Sequence, residues 1–183
     1  YLEVCIKNNI KYVLGTTGFS DEEKEKISQA SKHIPICFAP NMSVGVNLLV
    51  SLVEVATKVL HEDYDMEIIE SHHSEKIDAP SGTALALGKA AAKGRGVALD
   101  GVADMVRKGQ TGARKPGDIG FAVLRGGDVA GEHSVIFYGD AERVEISHRA
   151  TDRAIFARGA IRAARFAATA SSGFYDMTDV LRG

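Results

Sequence analysis

Cysteine is scarce in this chain: Cys5 and Cys37 are the only two among 183 residues, and each lies inside an apolar run. Their spacing fits no zinc pattern, and a disulfide between them is the weaker reading. Both are expected to be buried small hydrophobes in a reducing cytoplasm. Net charge is nearly absent as well, at −2, which removes any global electrostatic case for nucleic acid or an anionic membrane as partner. No apolar run approaches the roughly 20 residues that a spanning helix needs. No signal-peptide pattern opens the chain, so export has no support and a cytoplasmic location is expected. Internal repeats and low-complexity segments are missing too. The remaining composition is that of an ordinary globular protein long enough for one large domain, or one domain and part of another.

Apolar patterning then divides the chain. Residues 1–10 read as the end of a helix, and 11–14 as a short buried strand. A chain that opens on a helix feeding a strand looks cut from a longer α/β protein. Gly15-Thr-Thr-Gly18 follows as a loop. Ser20 stands three residues before Glu23, the spacing of a capping box, and the helix it opens is expected to run to about Lys32, with Pro35 just beyond. Residues 36–39 read as a second strand that ends in Pro40-Asn41. From Ser43 a long helix is predicted, with Val44, Leu48, Leu49, Leu52, Val55, Ala56, Val59 and Leu60 in one wide apolar stripe. Strand–helix–strand–helix is the signature of a parallel sheet with crossover helices.

The pattern changes after that. Residues 66–70 read as a strand running into a histidine pair. Ser81 is a plausible N-cap for an alanine-rich helix from Thr83 to about Lys93, ended by Gly94 and Gly96. Residues 105–107, 119–124, 134–138 and 144–148 are β-like runs separated by glycines, which predicts hairpin-rich, mostly antiparallel structure. Thr151 or Asp152 is expected to cap a last helix to about Ala170, with Phe156, Ala160, Ala163, Ala164 and Ala167 on one face. Residues 174–181 form a tail that pattern alone does not place. The fold class expected is α/β: an incomplete Rossmann-type parallel sheet plus an α+β substrate domain with a mixed, mostly antiparallel sheet.

The chemistry concentrates at residues 70–84. His72, His73 and Lys76 place three potentially cationic groups within five residues, directly after a strand, where ligands of α/β sheets gather. Such a cluster suits an acidic substrate. Histidine can exchange a proton near neutrality, and a lysine beside other cations can become a usable acid. A metal site is disfavoured: adjacent residues on an extended chain point to opposite faces, and position 76, where a helical zinc motif would repeat histidine, is lysine. In Asp78-Ala-Pro-Ser-Gly-Thr83 the proline and glycine set up a turn before a helix start. The unpaired first amides of that helix, with the Ser81 and Thr83 hydroxyls, make a cradle for a carboxylate or phosphate. Gly15-Thr-Thr-Gly18 and Ala39-Pro-Asn-Met42 end strands of the parallel unit, as nucleotide-lining loops do, but each is also what a plain strand-to-helix turn looks like. The G-x-G-x-x-G fingerprint is absent. The basic, glycine-rich loop at 109–117 lacks the ending of a phosphate-binding Walker motif. Gly131-Glu-His133 and Ser147-His-Arg149 lie inside β-runs, where core or sheet-face roles are the default.

Glu70-Ser-His-His-Ser-Glu-Lys-Ile-Asp-Ala-Pro-Ser-Gly-Thr-Ala84 resembles the signature of the 4-hydroxy-tetrahydrodipicolinate reductase (dihydrodipicolinate reductase) family. The segments at 15–19, 41–47, 126–133 and 174–181 resemble the same family in the same order. The resemblance implies that His72 is the catalytic acid/base and Lys76 the proton donor, and that His73, Gly82 and Thr83 bind a cyclic dicarboxylate substrate. It implies further that Gly15, Thr16, Thr17, Ala39, Pro40, Asn41 and Met42 line the nicotinamide side of a site for NADH or NADPH. The implied reaction is the NAD(P)H-dependent step yielding tetrahydrodipicolinate in lysine and diaminopimelate biosynthesis. A homotetramer joined through the substrate-domain sheets is implied as well. Residues 1–42 would complete the cofactor domain, 43–152 form the substrate and oligomerisation domain, and 153–183 return to the cofactor domain. The family carries its glycine fingerprint in a first βαβ unit, before the point where this chain begins. Poor cofactor binding by the 183-residue chain alone is therefore expected. The reading from a different class is a non-catalytic oligomerisation and small-acid-binding module; a metal-dependent hydrolase using His72, His73 and Glu75 is disfavoured by the geometry above.

Overall fold

A computed structural model describes all 183 residues. They divide into two compact units, residues 1–47 with 153–183, and residues 48–152.

In the first unit, helix α1 (Leu2–Lys7) leads into β1 (Tyr12–Leu14), α2 (Asp21–Ala30) and β2 (Pro35–Phe38). The capping box is present: Glu23 N donates to Ser20 Oγ at 3.2 Å and Ser20 N to Glu23 Oε2 at 2.8 Å. Two of the four free amides at the helix start are thereby satisfied. Strands β1 and β2 pair in parallel, Tyr12 opposite Ile36. The tail is a third parallel strand, β8 (Gly173–Tyr175), laid along β2. A closing helix, α6 (Met177–Arg182), follows under its own capping box from Asp176 and Asp179. Helix α5 (Ala154–Thr169) buries Gly159, Ala163 and Ala167 against this sheet. Two expectations for α5 fail. Arg153 occupies the N-cap position, so neither Thr151 nor Asp152 does, and Ala164 faces solvent. Alanine fits both a core face and an exposed one, so periodicity alone could not orient it. Both cysteines are free and buried; burial, with Asp179 and Asp176 nearby, pushes the Cys37 thiol up to about 11.

Helix α3 (Val44–Leu60) is capped by Ser43, whose Oγ accepts from Val46 N at 3.3 Å. Its expected wide stripe divides. Leu49 enters the core of the second unit and Ala56 and Leu60 pack against it, joined by Val53 from outside the expected stripe, whereas Leu48, Leu52, Val55 and Val59 are exposed. Contrary to the expectation that no run nears spanning length, Val44 to Asp63 is long and apolar enough to cross a membrane by length and composition alone, because the helix continues through the polar residues between its apolar ones. Yet Leu49 and Val53 pack in a protein core, and the exposed side carries the Glu54–Lys58 ion pair at 2.8 Å.

The second unit is built on a five-stranded sheet ordered β4–β5–β3–β6–β7, from Ala103–Asp104, Ile119–Arg125, Asp65–His72, Gly131–Gly139 and Glu142–Ala150. Strand β3 is parallel to β5 and antiparallel to β6, β4 is parallel to β5, and β6–β7 is the one hairpin. The sheet is thus mixed, with two parallel and two antiparallel pairings, and the expected hairpin-rich structure reduces to the single β6–β7 hairpin because β3, β4 and β5 pair in parallel. Helix α4 (Gly82–Arg95) packs Ala84, Leu87 and Ala91 onto Met66, Ile68, Val135 and Phe137. Gly96, with φ +73°, ends this helix in the left-handed conformation that glycine adopts cheaply. Gly94 does not end it: it lies within the last turn, where a Cβ would stand 2.8 Å from the Glu54 carbonyl oxygen.

The run at 105–107 is not a strand. Arg107 instead grips Glu67 through Nη1 (3.0 Å) and Nη2 (2.7 Å), and Arg114 from the glycine-rich loop adds Nε at 3.2 Å. Gly120 leaves room for that pair, since a Cβ there would meet Glu67 Oε2 at 2.1 Å.

Candidate active site

Strand β3 alternates strictly, so Met66, Ile68, Glu70 and His72 share the face that the helices cover. Apolar residues occupy the first half of that face and ionisable ones the second. The register sets Glu70 between Val123 of β5 and His133 of β6, with His148 of β7 beyond. His72 stands opposite Arg125.

Glu70 is 1% exposed. Its Oε1 accepts from Ser81 N at 2.9 Å and Arg125 Nη2 at 3.0 Å, and its Oε2 accepts from Arg125 Nη1 at 2.8 Å and meets His72 Nδ1 at 2.5 Å. Burial by itself would raise this carboxyl, but the bonds from Arg125, His72 and the Ser81 amide together hold it below the usual carboxylate range. The His72 ring meets His133 edge-on at 5.1 Å. His133 Nε2 lies 3.1 Å from Ser81 Oγ, which also accepts from Ala84 N as the cap of α4. The cap residue therefore ties the helix start to both β3 and β6.

The chain after His72 is fixed by the β5–β6 connection. His73 N donates to Val129 O at 2.8 Å, Ser74 N to Gly127 O at 3.2 Å, and Gly126 N to His72 O at 3.0 Å. Lys76 Nζ pairs with Asp78 Oδ1 at 2.7 Å, and that bond holds the Asp78 carboxyl below its ordinary range. Arg125 Nη2 also binds Asp78 O at 2.7 Å, so one guanidinium anchors both the buried carboxylate and the loop carrying Lys76. The Ala79–Pro80 bond is cis. Gly82 opens α4 with nothing within 4 Å of where its Cβ would be. A capped helix start, a cationic amine and a histidine thus belong to one short stretch. No group of three His, Cys, Asp or Glu residues is placed to hold a metal ion.

His133 bears a measurable consequence. Burial, and His72 beside it, push its imidazole down from 6.5 to about 4. A histidine with a depressed folded-state value contributes stability above its unfolded value and loses it as pH falls toward the folded one. Urea unfolding at pH 7 and pH 5 should therefore differ by about 2 kcal/mol from this group. His133→Gln should remove that portion of the pH dependence; an unchanged dependence would show that His133 is not held neutral.

In the first unit, the other predicted loops follow the carboxyl ends of adjacent parallel strands. Ala39 N binds Leu14 O at 3.1 Å, and a Cβ on Gly15 would touch Met42 Cγ at 3.4 Å, so the loops at 15–17 and 39–42 lie side by side. Thr16, Thr17 and Pro40 are exposed, and Ala39 and Met42 buried. Asn41 is braced, its Oδ1 accepting from Ser43 N and its carbonyl from Asn47 Nδ2.

Comparison with known proteins decides the family. Residues 45–181 match the family described as dihydrodipicolinate reductase, C-terminus, and residues 1–42 match dihydrodipicolinate reductase, N-terminus. The chain belongs to the dihydrodipicolinate reductase family. It is 56% identical over 181 residues to the 4-hydroxy-tetrahydrodipicolinate reductase of Nitrosospira multiformis, covering 99% of this chain and 67% of that protein. To the enzyme of the same name from Thiobacillus denitrificans it is 52% identical, covering 68% of it. The chain thus spans about two thirds of the length of these relatives. A structure of dipicolinate-bound dihydrodipicolinate reductase from Paenisporosarcina sp. TG-14 has the same fold, with a TM-score of 0.75 at 23% identity, over 96% of this chain and 66% of that one.

Three residues of this cluster, Glu70, Arg125 and His133, have no assigned role in the sequence alone. Glu70 lies inside the 70–84 segment, but a lone glutamate in a strand does not announce burial. Arg125 and His133 are 55 and 63 positions from Glu70 in the chain; Arg125 carries no local signal, His133 reads only as a polar group in a β-run, and strand pairing brings both in.

Proposed function

We propose that this chain carries the substrate-handling machinery of a 4-hydroxy-tetrahydrodipicolinate reductase. The reaction is the NAD(P)H-dependent reduction of 4-hydroxy-tetrahydrodipicolinate to tetrahydrodipicolinate in lysine and diaminopimelate biosynthesis. The observation that carries it is the joint placement of Lys76, His72 and the start of α4 within one braced segment, in a chain of this family.

In this reading His73 and the first turn of α4, with Gly82 and Thr83, hold the two carboxylates of the cyclic substrate through amide and hydroxyl donors and the positive helix end. Lys76 delivers a proton to the reduced ring and His72 acts as acid/base beside it. The loops at 15–17 and 39–42 fit the nicotinamide end of NADH or NADPH: they are adjacent and follow parallel strands. The cofactor, when bound, supplies hydride. The chain's own residues align the substrate, neutralise its charge and hold the proton. The other face of the mixed sheet, with Ile69, Ala122 and Leu124 opposite the helix-covered side, supports a homotetramer joined through these sheets. A cytoplasmic setting suits the free thiols.

Dipicolinate, the compound bound in the Paenisporosarcina structure, tests the substrate half directly. Calorimetry should show it binding this chain. Lys76→Ala and Thr83→Ala should each weaken binding about tenfold or more, as expected for losing a charge-assisted contact. No binding by the unaltered chain, or binding by both variants as tight as by the unaltered chain, would overturn the assignment of this segment to the dicarboxylate.

A further inference from the structure

Every atom that contacts the Glu70 carboxylate is one that can donate: the Ser81 amide, Arg125 Nη1 and Nη2, and His72 Nδ1. A carboxylate accepts only, so the His72 contact at 2.5 Å requires the imidazole proton to sit on Nδ1. Nε2 is then the nitrogen left to exchange a proton. It points toward Gly131, where a Cβ would come to 3.1 Å of it.

We propose that Glu70, clamped by Arg125, is the positioning residue for His72: it fixes the ring in the Nδ1–H tautomer and sets its orientation relative to the start of α4. The inference rests on the reading of His72 as the acid/base. Four observations support it together. Glu70 and His72 are two residues apart on one face of β3, so both side chains leave the same backbone ribbon. The Arg125 fork binds both carboxylate oxygens, which prevents rotation of the carboxylate. The oxygen not facing His72 binds the cap residue of α4, which ties the imidazole and the anion cradle to one group. Arg125 also binds the carbonyl of Asp78, the partner of Lys76, so the same clamp sets the loop of the proton donor. The other ionisable groups facing His72 are His133 on β6, with His148 beyond it on β7, and neither offers an acceptor in hydrogen-bond contact with Nδ1.

Glutamine cannot replace this carboxylate. Its amide nitrogen must face either the Ser81 amide with one Arg125 nitrogen, or the other Arg125 nitrogen with His72; in each case donor meets donor. Facing His72, it would oblige Nδ1 to accept, which moves the imidazole proton to Nε2.

The test is the side-chain nitrogen NMR spectrum of His72 in this chain, assigned by its disappearance in His72→Gln. It needs neither cofactor nor turnover. The wild-type neutral imidazole should be at least about tenfold in favour of Nδ1–H, as expected for a hydrogen bond to a charged acceptor. Glu70→Gln should reduce or reverse that ratio. Arg125→Lys, which retains charge but loses the fork, should reduce it less. A brace that only stabilised the fold would lower the unfolding midpoint of these variants without moving the tautomer. A wild-type Nε2–H tautomer overturns the proposal even if both variants fail to fold, and so does an unchanged ratio in folded Glu70→Gln. Should the tautomer behave as stated while His72→Gln retains full turnover, the acid/base reading fails and the positioning geometry stands.

Discussion

Lys76→Ala is expected to lower kcat by about a hundredfold or more in the cofactor-loaded enzyme, the usual contribution of a positioned general acid. Asp78 Oδ1 lies 2.7 Å from Lys76 Nζ, while Arg125 fixes the loop from its other end. The amine is therefore held in place before substrate arrives. Lys76→Arg separates its two capacities. Arginine keeps the positive charge but does not give up its proton in proteins, so this variant should retain much of the KM and lose kcat. His73→Ala, by contrast, should mainly raise KM, since His73 is assigned to binding. Steady-state kinetics of the three variants decide the matter. If Lys76→Ala raises KM with kcat intact, and His73→Ala does the reverse, the two roles have been exchanged.

Gly159→Ala is expected to cost about 3 kcal/mol or more of stability, at the upper end of what overpacking costs. Gly159 is buried in α5, and a Cβ there would stand 1.7 Å from the carbonyl oxygen of Met42 and 2.8 Å from its carbonyl carbon. Those are backbone atoms, which cannot swing aside as a flexible side chain would. Ordinary helix propensity points the other way: alanine in place of a helix-interior glycine is worth about 1 kcal/mol in its favour. The sign of the measured change thus decides whether close approach or propensity dominates. A lowered urea midpoint is the expected result, and a raised one would show that α5 does not approach the loop at 39–42 this closely. Because that loop is assigned to the nicotinamide side, a folded Gly159→Ala protein should also bind cofactor more weakly.

Features that depend on a few neighbouring residues were legible in the sequence. Ser20 with Glu23, and Ser81 before α4, cap their helices as their spacing requires. Both thiols are buried where apolar runs placed them. The division into a parallel sheet and a mixed one followed from where helical periodicity gives way to glycine-punctuated β-runs. The misses share a cause. Leu48, Leu52, Val55 and Val59 have helical spacing and are nonetheless exposed, because periodicity reports which residues could be buried and not whether anything covers them. Gly94 looked like a helix end and is a packing contact. The 105–107 run has the pattern of a strand but is not one, and Arg107 is drawn to Glu67 on β3.

The sequence by itself determined the local chemistry: a histidine pair, a lysine and a capped helix start within one short segment, because capping and turn formation act over three or four residues. Tertiary structure alone decided the state of Glu70. Its ionisation depends on Arg125, 55 residues away, and on the Ser81 amide, 11 residues away. It also alone decided that the tail at 173–175 becomes a strand beside β2. Electrostatic and hydrogen-bond energies depend on distance through space, and only strand pairing converts these separations along the chain into contacts of about 3 Å.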